Sequence, residues 1–569
     1  MKFKKLTQYL EQLEGTSSRL EMTRILAELF AQVEPDEGKI IACLSAGMLG
    51  PKYNNPDTGM AEKQVLKAVA MGVDAELSDV NEVFKKEGDL GKTVETLKSQ
   101  ITNDGDDCDV EIQMVYKRLL EIASASGLGS QDKKIELLAG LINELDGRSA
   151  KYAVKIVLGK MRSGFSDMTV LDALSWMKTG DKSLREDIEK IYNVRADLGE
   201  VVRLICEHKD VKGIKVDPEW GVPILVARAE RAKSAKEIWD RLGVAAAEHK
   251  LDGLRIQAHV KGDEVMLFSR GMDNVTRMYP DIVQGLKEQV SDECILDGEM
   301  IAVGKDGKYL PFQETVQRKR KYDILEMMEQ VPLKYYTFDV LMCKGKSFLN
   351  EPNESRWKKL EEILGKGQTV RLMPRKIINS VAEIEEFFYA SLAEGTEGVV
   401  VKKLDAEYRS GSRDFNWIKY KKSYDESGVA DTIDAVVMGY DVGQGKRSGF
   451  GIGGFLIGVS KGKDGKYQTI AKIGTGLKDD EWREMKKRCD EIKLSNKPED
   501  YEVEKQMDCD VWVKPKIVVE IKCDEITKSP MHSAGFALRF PRLVSFREMK
   551  VDEIATTSEI ERLFGLQKK

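Results

Sequence analysis

The sequence predicts a multidomain protein with an all-α region first, an α+β domain next and a small β-barrel at the end. Three observations predict this fold class. The 569 residues suffice for about two to four domains. Apolar residues recur at helical spacing up to about residue 212, and short β-rich runs mixed with helical stretches follow. From about residue 426 short strands dominate, and Gly-rich turns separate them.

The first region, residues 1–212, shows helical periodicity. An apolar stripe follows a Gly-Thr-Ser-Ser start signal, and its members are Met22, Ile25, Leu26, Leu29, Phe30 and Val33. The same spacing appears in the segments 112–124, 133–145 and 150–161. We predict that a Gly-rich loop at 125–129 opens a helix with Ser130 as its N-cap, and free N–H groups there suit a phosphate. A basic helix face is predicted from Lys151, Lys155, Lys160 and Arg162.

The second and third regions are richer in strands. β-rich runs occur at 264–268, 335–341 and 398–402, with helical stretches near 353–364 and 380–393. After a predicted linker at 421–428, strands are expected at 432–439, 454–459 and 517–522, with one helical insert near 478–492. Short strands between Gly-rich turns favour a barrel of the OB type.

The composition limits the class of protein. Apolar residues make up 41% and charged residues 33%, as in soluble globular chains. No apolar run approaches the roughly 20 residues of a membrane span, and the N-terminus lacks the apolar core of a signal peptide. The eight cysteines are scattered, which argues against a structural zinc site and a disulfide framework. The net charge of -6 does not exclude a nucleic-acid partner, because binding depends on where Lys and Arg cluster.

The segment 246–255 carries the most informative motif. Lys250, Asp252 and Gly253 form a Lys-x-Asp-Gly element, with Glu248 before it and Arg255 after it. A lysine amine is a poor nucleophile while it is protonated, but nearby cations, a metal or desolvation lower its pKa. Alone, such an element is more often an exposed lysine before a turn. Five further segments of the α+β region, and one near the C-terminus, follow in the order that nucleotidyl-transfer chemistry would need and favour the chemical interpretation.

Two of these segments place polar groups beside predicted strands. Arg270 lies in a Ser-Arg-Gly triplet ahead of a Tyr-Pro-Asp triplet at 279–281, which alone would be a solvated turn before a helix. Within the apolar run 295–301, Asp297 and Glu299 interrupt the strand. Acids in a buried strand are costly unless they are paired or bind a metal. A bulged turn with exposed acids is the alternative.

Two more segments combine strand character with candidate ligand contacts. Phe338 lies in the run 335–341, where it is ordinary core unless a ligand stacks on it. The string from Glu397 to Lys402 places a glycine and three valines between an acid and a cation. A strand end with solvated charges does not explain the whole string.

The remaining elements are basic. Arg413 precedes Lys419 and Lys421, which share one face of a strand because they are two residues apart. Two ammonium groups on one face stabilise charge on phosphoryl oxygens, and an amphipathic edge strand is the alternative. Near the C-terminus, Arg547 and Lys550 follow an Arg-Phe-Pro-Arg string.

Together, these segments resemble the ATP-dependent DNA ligases of the covalent nucleotidyltransferase superfamily, most closely the archaeal and eukaryotic replicative type. The resemblance covers nearly the whole chain. It implies a helical DNA-binding domain at 1–212, an α+β adenylation domain at 213–425 and an OB-fold domain at 426–569. Ligases of this type end the last element with Arg-x-Asp-Lys, whereas this chain has Met549 at the Asp position. That departure leaves the local salt bridging open.

The resemblance also implies a role for each residue. Lys250 attacks the α-phosphorus of ATP and carries AMP. Glu299 and Glu397 bind Mg²⁺, and Glu299 is alternatively placed at the ribose. The other residues hold the nucleotide: Glu248 and Phe338 at adenine; Arg255, Arg270, Arg413 and Lys419 at ribose and phosphate; Lys402 at the α-phosphate; Lys421 at the phosphates; Arg547 and Lys550 at the pyrophosphate.

The implied reaction seals nicks in duplex DNA during replication, repair and recombination. AMP moves from Lys250 to the 5′-phosphate of the nick, and the 3′-hydroxyl then displaces it. The cofactors are ATP as co-substrate and Mg²⁺. The expected partner is nicked double-stranded DNA, held through its backbone, and a sliding clamp is expected for the family. We expect a monomer without membrane contact, located in the cytoplasm and associated with the nucleoid.

Four other functions remain open at this point. An mRNA-capping guanylyltransferase shares the Lys-x-Asp-Gly core and a barrel, but not so large a helical region in front. An RNA ligase would act on an RNA nick. An NAD-dependent ligase is disfavoured because the cysteines offer no zinc finger after the barrel. A non-catalytic DNA-binding scaffold would require a decayed nucleotide site, against which the intact Lys250, Glu299, Glu397 and Lys402 argue.

Overall fold

The computed structural model describes residues 1–101, 110–161, 164–304, 307–318, 324–421, 432–443, 449–462, 465–547 and 550–566. The chain forms two compact units. The first consists of Met1–Arg231 and Ala235–Lys419, and the second of Ala232–Ser234 and Tyr420–Lys569. Among the described helices, none has the length and apolar character that crossing a bilayer requires.

The first unit begins with helices that share one apolar core. Their bounds are α1 Phe3–Glu14, α2 Arg19–Phe30, α3 Pro35–Ser45, α4 Glu62–Gly72, α5 Leu77–Glu87, α6 Leu90–Ile101, α7 Ile112–Ser124, α8 Ser130–Glu144, α9 Gly147–Val157, α10 Asp167–Thr179, α11 Arg185–Val194 and α12 Leu198–Glu207. The predicted stripe on α2 is buried up to Phe30, and Val33 packs against the core beyond the helix end. Side chains also cap helix starts, as where Asp197 accepts the backbone N–H of Glu200 at 3.0 Å.

Two predictions about the helical region are wrong. Ser130 is not an N-cap: Gly129 holds that position with φ 77°, and Ser130 is the first helical residue. A glycine suits that left-handed conformation because it has no Cβ. The second wrong prediction is the exposed basic face on α9. Lys151 and Lys155 are buried, and both pair with Glu14 of α1.

Their ammonium groups therefore hold α9 against α1 and are not available to DNA. Of the other two predicted basic residues, Lys160 is half-exposed beside Glu62, and Arg162 lies outside the described residues. A buried lysine generally stays charged only when an acid pairs with it.

The α+β part of the first unit contains two sheets. Its strands are β1 Arg228–Arg231, β2 Ala245–Lys250, β3 Leu254–Lys261, β4 Glu264–Ser269, β5 Cys294–Ala302, β6 Leu333–Cys343, β7 Lys346–Ser347, β8 Val370–Leu372, β9 Arg375–Ile378, β10 Gly398–Lys403 and β11 Arg413–Lys421. Its helices are α13 Ala235–Leu242, α14 Pro280–Gln289, α15 Phe312–Gln317, α16 Ile324–Gln330, α17 Asn353–Ile363 and α18 Val381–Ala393. One sheet has the order β1-β11-β10-β2-β9, and the other has the order β4-β3-β5-β6-β7 with β8 beside β6.

The turn between β2 and β3 passes from the first sheet to the second. Gly253 lies in this turn, and a Cβ placed there would come within 2.2 Å of the Met300 carbonyl oxygen. Only glycine therefore allows β3 to begin pairing with β5 directly after the lysine. The Lys-x-Asp-Gly element thus has a packing reason for its glycine.

The second unit is rich in strands. Its elements are β12 Ile433–Asp441, β13 Gly454–Ser460, β14 Tyr467–Ile473, α19 Asp479–Asp490, β15 Lys493–Leu494, β16 Tyr501–Glu502, β17 Val511–Val513, β18 Val518–Lys522, β19 Glu525–Lys528, β20 Phe536–Arg539, β21 Arg542–Arg547 and α20 Thr557–Leu566. The central strand β12 pairs with β13, β17 and β18, and β21 pairs with β18.

The predicted fold class is confirmed: a helical region, an α+β domain and a β-rich domain follow one another. The predicted helical insert appears as α19, whereas α20 had no prediction. The boundary at 212/213 falls inside the first unit and stays a prediction. The boundary at 425/426 and the linker beyond Lys421 lie outside the described residues.

Candidate active site

A cavity of about 560 Å³ lies where the two sheets of the first unit meet. Strands β2, β10 and β11 contribute to it from one sheet, and β3 to β6 contribute from the other. The structure brings most of the predicted site residues together here: Glu248, Lys250, Arg255, Arg270, Glu299, Phe338, Lys402, Arg413 and Lys419. The cavity therefore joins segments that are far apart in the sequence.

Lys250 ends β2 at one side of this cavity. It pairs in register with Gly398 of β10, and its carbonyl oxygen accepts the backbone N–H of Glu397 at 2.9 Å. This strand pairing places the Glu397 carboxylate against the Lys250 ammonium, and the two form an ion pair. The lysine side chain remains 21% exposed, so its amine is held in place without being sealed off.

Glu299 of β5 supplies a second carboxylate near Lys250. Burial raises the pKa of Glu299 to about 7, although the charges of Lys250 and Arg255 act in the opposite direction. Asp297 and Glu397 raise that pKa further through repulsion. The amine of Lys250 thus lies among acids, one of which changes its charge near neutral pH.

A buried polar network lies behind this end of the cavity. Arg255 donates to both carboxylate oxygens of Asp297, at 3.1 and 2.7 Å, and to the Ala227 carbonyl oxygen at 2.7 Å. Tyr408 donates its hydroxyl to Asp297 at 2.6 Å. Asp297 is completely buried, so these bonds satisfy the pairing that an acid in an apolar strand requires. The sequence indicated that Asp297 needs a partner but did not identify Tyr408.

The end of the cavity at Glu248, two residues before Lys250 on β2, is more deeply buried. Glu248 is 2% exposed, and its Oε2 atom is 2.7 Å from Nζ of Lys402. That ammonium also lies 4.4 Å from the ring centroid of Phe338 and 4.2 Å from that of Trp417. The Oε1 atom of Glu248 is buried and has no hydrogen-bond partner among the described residues. An acceptor is therefore available beside an aromatic ring.

Lys402 lines the same cavity as Lys250, and its implied role at the α-phosphate stays a prediction. Lys402 pairs in register with Ala246, four positions before Lys250 on β2. Its side chain nevertheless reaches Glu248, two residues before Lys250. Burial lowers the pKa of Lys402, while the charge of Glu248 raises it. Its ammonium belongs to the end of the cavity that contains Glu248.

A second buried ion pair supports this end. Arg356 of α17 donates to Asp339 of β6 at 2.6 and 3.1 Å, and both side chains are completely buried. Arg356 also donates to the carbonyl oxygen of Ala406 at 3.0 Å. Because Asp339 directly follows Phe338, this pair fixes the strand segment that carries the ring. Asp339 in an apolar run was the sequence signal that could have identified this pair.

Four predicted site residues do not line the cavity. Glu397 contacts Lys250 from its edge, as described above. The other three belong to the second unit: Arg547 pairs with Asp434 at 3.1 Å and Glu520 at 3.5 Å, Lys421 lies 5.7 Å from the ring centroid of Phe540, and Lys550 follows β21. Met549, at the position where the resemblance expects Asp, lies outside the described residues.

Comparisons with known proteins agree with this arrangement. Residues 2–175 match the family described as DNA ligase N terminus, residues 226–421 match the ATP dependent DNA ligase domain, and residues 448–550 match the ATP dependent DNA ligase C terminal region. A solved chain described as "Pmar-Lig_PreS3" shares the fold with a TM-score of 0.53 at 16% identity, over 96% of this chain and 99% of that one.

Two curated relatives match essentially the whole chain. The "Probable DNA ligase" of Dictyoglomus turgidum is 44% identical over 582 residues, which cover 100% of this chain and 98% of the relative. The "DNA ligase" of Sulfolobus acidocaldarius is 37% identical over 592 residues, which cover 99% of this chain and 98% of the relative. Because all three family regions match in order along the chain and a relative is 37% identical over essentially its whole length, the chain belongs to the ATP-dependent DNA ligases.

Proposed function

We propose that this ligase seals nicked duplex DNA through an AMP group carried on Lys250. The observation that supports this most directly is the environment of the amine. Lys250 opens onto the cavity with Glu299 and Glu397 beside it, and a buried acceptor lies at Glu248, two residues or about 7 Å earlier on the same strand. An amine nucleophile and a buried acceptor that line one cavity from the same face of a strand fit the phosphate and the base of one nucleotide.

The first step transfers AMP to the protein. The Lys250 amine attacks the α-phosphorus of ATP, an N–P bond forms, and the bond to pyrophosphate breaks. The amine must first lose a proton, and the Glu397 carboxylate already contacts it at Nζ. Arg270, Arg413 and Lys419 line the cavity as cations for the phosphoryl charge that grows in this step.

The base-binding end selects and holds adenine. Phe338 offers its ring face, and Glu248 offers an acceptor for the exocyclic amino group of adenine. We assign Lys402 to this end as the ion-pair partner of Glu248, since its ammonium lies there. Arg255 supports both ends through Asp297 and its closeness to the Phe338 ring, at 5.4 Å from the ring centroid.

The carboxylates of Glu299 and Glu397 fit a Mg²⁺ ion. This ion prefers oxygen ligands and commonly uses one or two carboxylates together with substrate phosphates. No cluster of three or more His, Cys, Asp or Glu suited to a metal occurs within the described part of the chain, so phosphate oxygens would complete the site. When bound, the ion neutralises phosphate charge and lowers the pKa of the attacking hydroxyl.

The second unit contributes cations that act on pyrophosphate and DNA. Arg547 is 43% exposed and is held by two carboxylates, so its guanidinium can exchange partners. We propose that Arg547 and Lys550 contact the pyrophosphate in the first step, with Lys421 at the phosphates. Because Arg547 and Lys550 would act only in the first step, the second unit would move between the first step and the later steps.

The later steps join DNA. AMP moves to the 5′-phosphate of the nick, and the 3′-hydroxyl then attacks that phosphorus and releases AMP. We propose that the enzyme works as a monomer in the cytoplasm at the nucleoid, grips duplex DNA through its backbone and contacts a sliding clamp. The resemblance to replicative ligases supports these partners, and backbone contacts make binding fall steeply with salt.

The test is labelling of the pure protein with α-labelled ATP, and separately GTP, in the presence of Mg²⁺. Label that survives denaturation, is lost in acid as an N–P bond requires, and chases onto nicked DNA supports the proposal. Labelling by GTP alone would instead indicate a capping-type guanylyltransferase. No label from either nucleotide would contradict the proposal.

A further inference from the structure

A carboxylate and a guanidinium face each other at the base-binding end of the cavity. Glu248 of β2 and Arg375 of β9 are partners in register on adjacent antiparallel strands. Side chains directly opposite each other in such a pair lie on the same face of the sheet. Met373, two residues before Arg375, lines the cavity. Arg375 therefore lies on the same face of the sheet as Glu248, although it does not itself line the cavity.

The hydrogen bonds of Arg375 are incomplete. Its Nη2 atom donates to Oδ1 of Asn353 at 3.0 Å, and its guanidinium lies 4.5 Å from the ring centroid of Trp357. Its Nε and Nη1 atoms are buried and have no hydrogen-bond partner among the described residues. Burial accordingly lowers the pKa of Arg375, while the charges of Glu248 and Asp339 raise it. Unsatisfied buried donors cost stability, which calls for a functional reason.

That reason is the charge state of Glu248. Burial holds the pKa of Glu248 above its ordinary value, and the nearby cations Lys402 and Arg375 limit that rise. Lys402 bonds one carboxylate oxygen directly, and Arg375 approaches from the neighbouring strand without an ion pair to it within the described residues. Arg375 thus favours the ionised carboxylate while leaving its Oε1 atom without a hydrogen bond.

An ionised acceptor discriminates between purines. Adenine presents an amino group, a donor, where guanine and hypoxanthine present an oxygen, an acceptor. A carboxylate attracts the first and repels the second. A protonated carboxyl group could donate to the oxygen and would lose this discrimination.

We propose that Arg375 is a positioning residue that keeps Glu248 a charged acceptor and so sets the preference of the nucleotide pocket for adenine over a purine that carries oxygen at that position. This rests on the proposed function, in which Lys250 takes AMP from ATP while Glu248 meets the base. Arg375 needs no contact with the nucleotide for this role.

The experiment compares ATP with inosine triphosphate, whose base differs from adenine at that group. Self-adenylation and self-inosylation are measured in single-turnover assays with the wild type, Arg375→Met and Arg375→Lys. We expect Arg375→Met to raise the half-saturating ATP concentration and to reduce the ATP preference about tenfold, with the rate at saturating ATP retained. Arg375→Lys should keep most of the preference because it keeps the charge.

The matched control is Arg371→Met, which removes an exposed arginine from β8. It should leave the preference unchanged. A folded Arg375→Met protein with the wild-type preference would overturn the proposal. So would an equal loss of maximal rate with both nucleotides, which indicates a merely structural role. If Arg375→Met does not fold, Arg375→Lys decides the matter because it keeps the charge. Loss of the preference for ATP in a folded Arg375→Lys protein would then overturn the proposal.

These outcomes are separable from failure of the proposed function. If the wild type takes no label from ATP, the Lys250 mechanism fails. If the wild type is labelled and the variants keep its preference, only the role of Arg375 fails.

Discussion

The two ends of the cavity are built on different principles. The proposed base-binding end contains the buried ion pairs Glu248–Lys402 and Asp339–Arg356, and it keeps the Oε1 atom of Glu248 available as an acceptor. The Lys250 end keeps its amine partly exposed, and repulsion from a neighbouring acid contributes to raising the pKa of Glu299. The ion pairs of the first end are present without substrate, whereas in the proposed function phosphate and Mg²⁺ balance the charges of the second end. The difference implies that substitutions should damage stability at the first end and chemistry at the second.

The largest expected effect is on chemistry at the Lys250 end. Lys250→Ala should reduce self-adenylation by at least about a thousandfold, because the attacking amine is gone. Sealing of a nick that already carries AMP should remain detectable, and the free energy of unfolding should change by less than about 1 kcal/mol. The two assays are run side by side, with the exposed Lys261→Ala as control. Complete loss of sealing on the pre-adenylated nick would give Lys250 another role.

The next effect is on stability at the base-binding end. Arg356→Leu leaves the carboxylate of Asp339 buried without its partner, so the free energy of unfolding should fall by about 3–5 kcal/mol. Urea unfolding measures the change. The double variant Arg356→Leu with Asp339→Leu should recover part of the loss, because neither charge remains. If Arg356→Leu is as stable as the wild type, the claim that substitutions at this end mainly damage stability is wrong.

A pH effect tests the unbalanced charge at the Lys250 end. The pKa of Glu299, about 7 in the folded protein against 4.5 in the unfolded chain, means that folding favours its protonated form. Its contribution to stability is thus full below pH 4.5 and is lost as the pH rises through about 7.

Urea unfolding of the metal-free protein at pH 5 and pH 8 measures this loss. Wild-type stability should drop by about 1–3 kcal/mol more than that of Glu299→Gln, which cannot ionise. Equal losses of stability in the two proteins would show that Glu299 is ionised over the whole range from pH 5 to pH 8. Repulsion between the acids near Lys250 would then not raise its pKa.

The smallest effect concerns an exposed cation. Arg270 lines the cavity but is exposed, so Arg270→Ala should raise the half-saturating ATP concentration in self-adenylation only about threefold to tenfold. Unfolding should change by less than about 0.5 kcal/mol. Titration of ATP in the labelling assay gives the first value. A large loss of stability would place Arg270 among the structural residues.

The sequence predicted the parts that depend on local patterns. Helical periodicity located α2 and α7, and strand-like runs located β6 and β10. The resemblance to DNA ligases grouped residues of which nine line one cavity, because short motifs describe the turn and the strand that place Lys250 and Glu299. The order of the three regions followed from the same patterns.

What the sequence did not predict depends on tertiary partners. Lys151 and Lys155 looked like a basic face, because nothing near them in the sequence identifies Glu14 of α1 as their partner. The location of Lys402 at Glu248 required the register between β2 and β10. The same holds for Arg375, whose partner in register lies more than a hundred positions earlier in the chain.

The most direct test is to locate the AMP group by peptide mass spectrometry after incubation with ATP and Mg²⁺. The account predicts one modified peptide, which contains Lys250, with the N–P bond on that side chain and no modification at Lys402. AMP on Lys402 or on any other lysine, with Lys250 unmodified, would contradict the division of the cavity into a reacting end and a base-binding end.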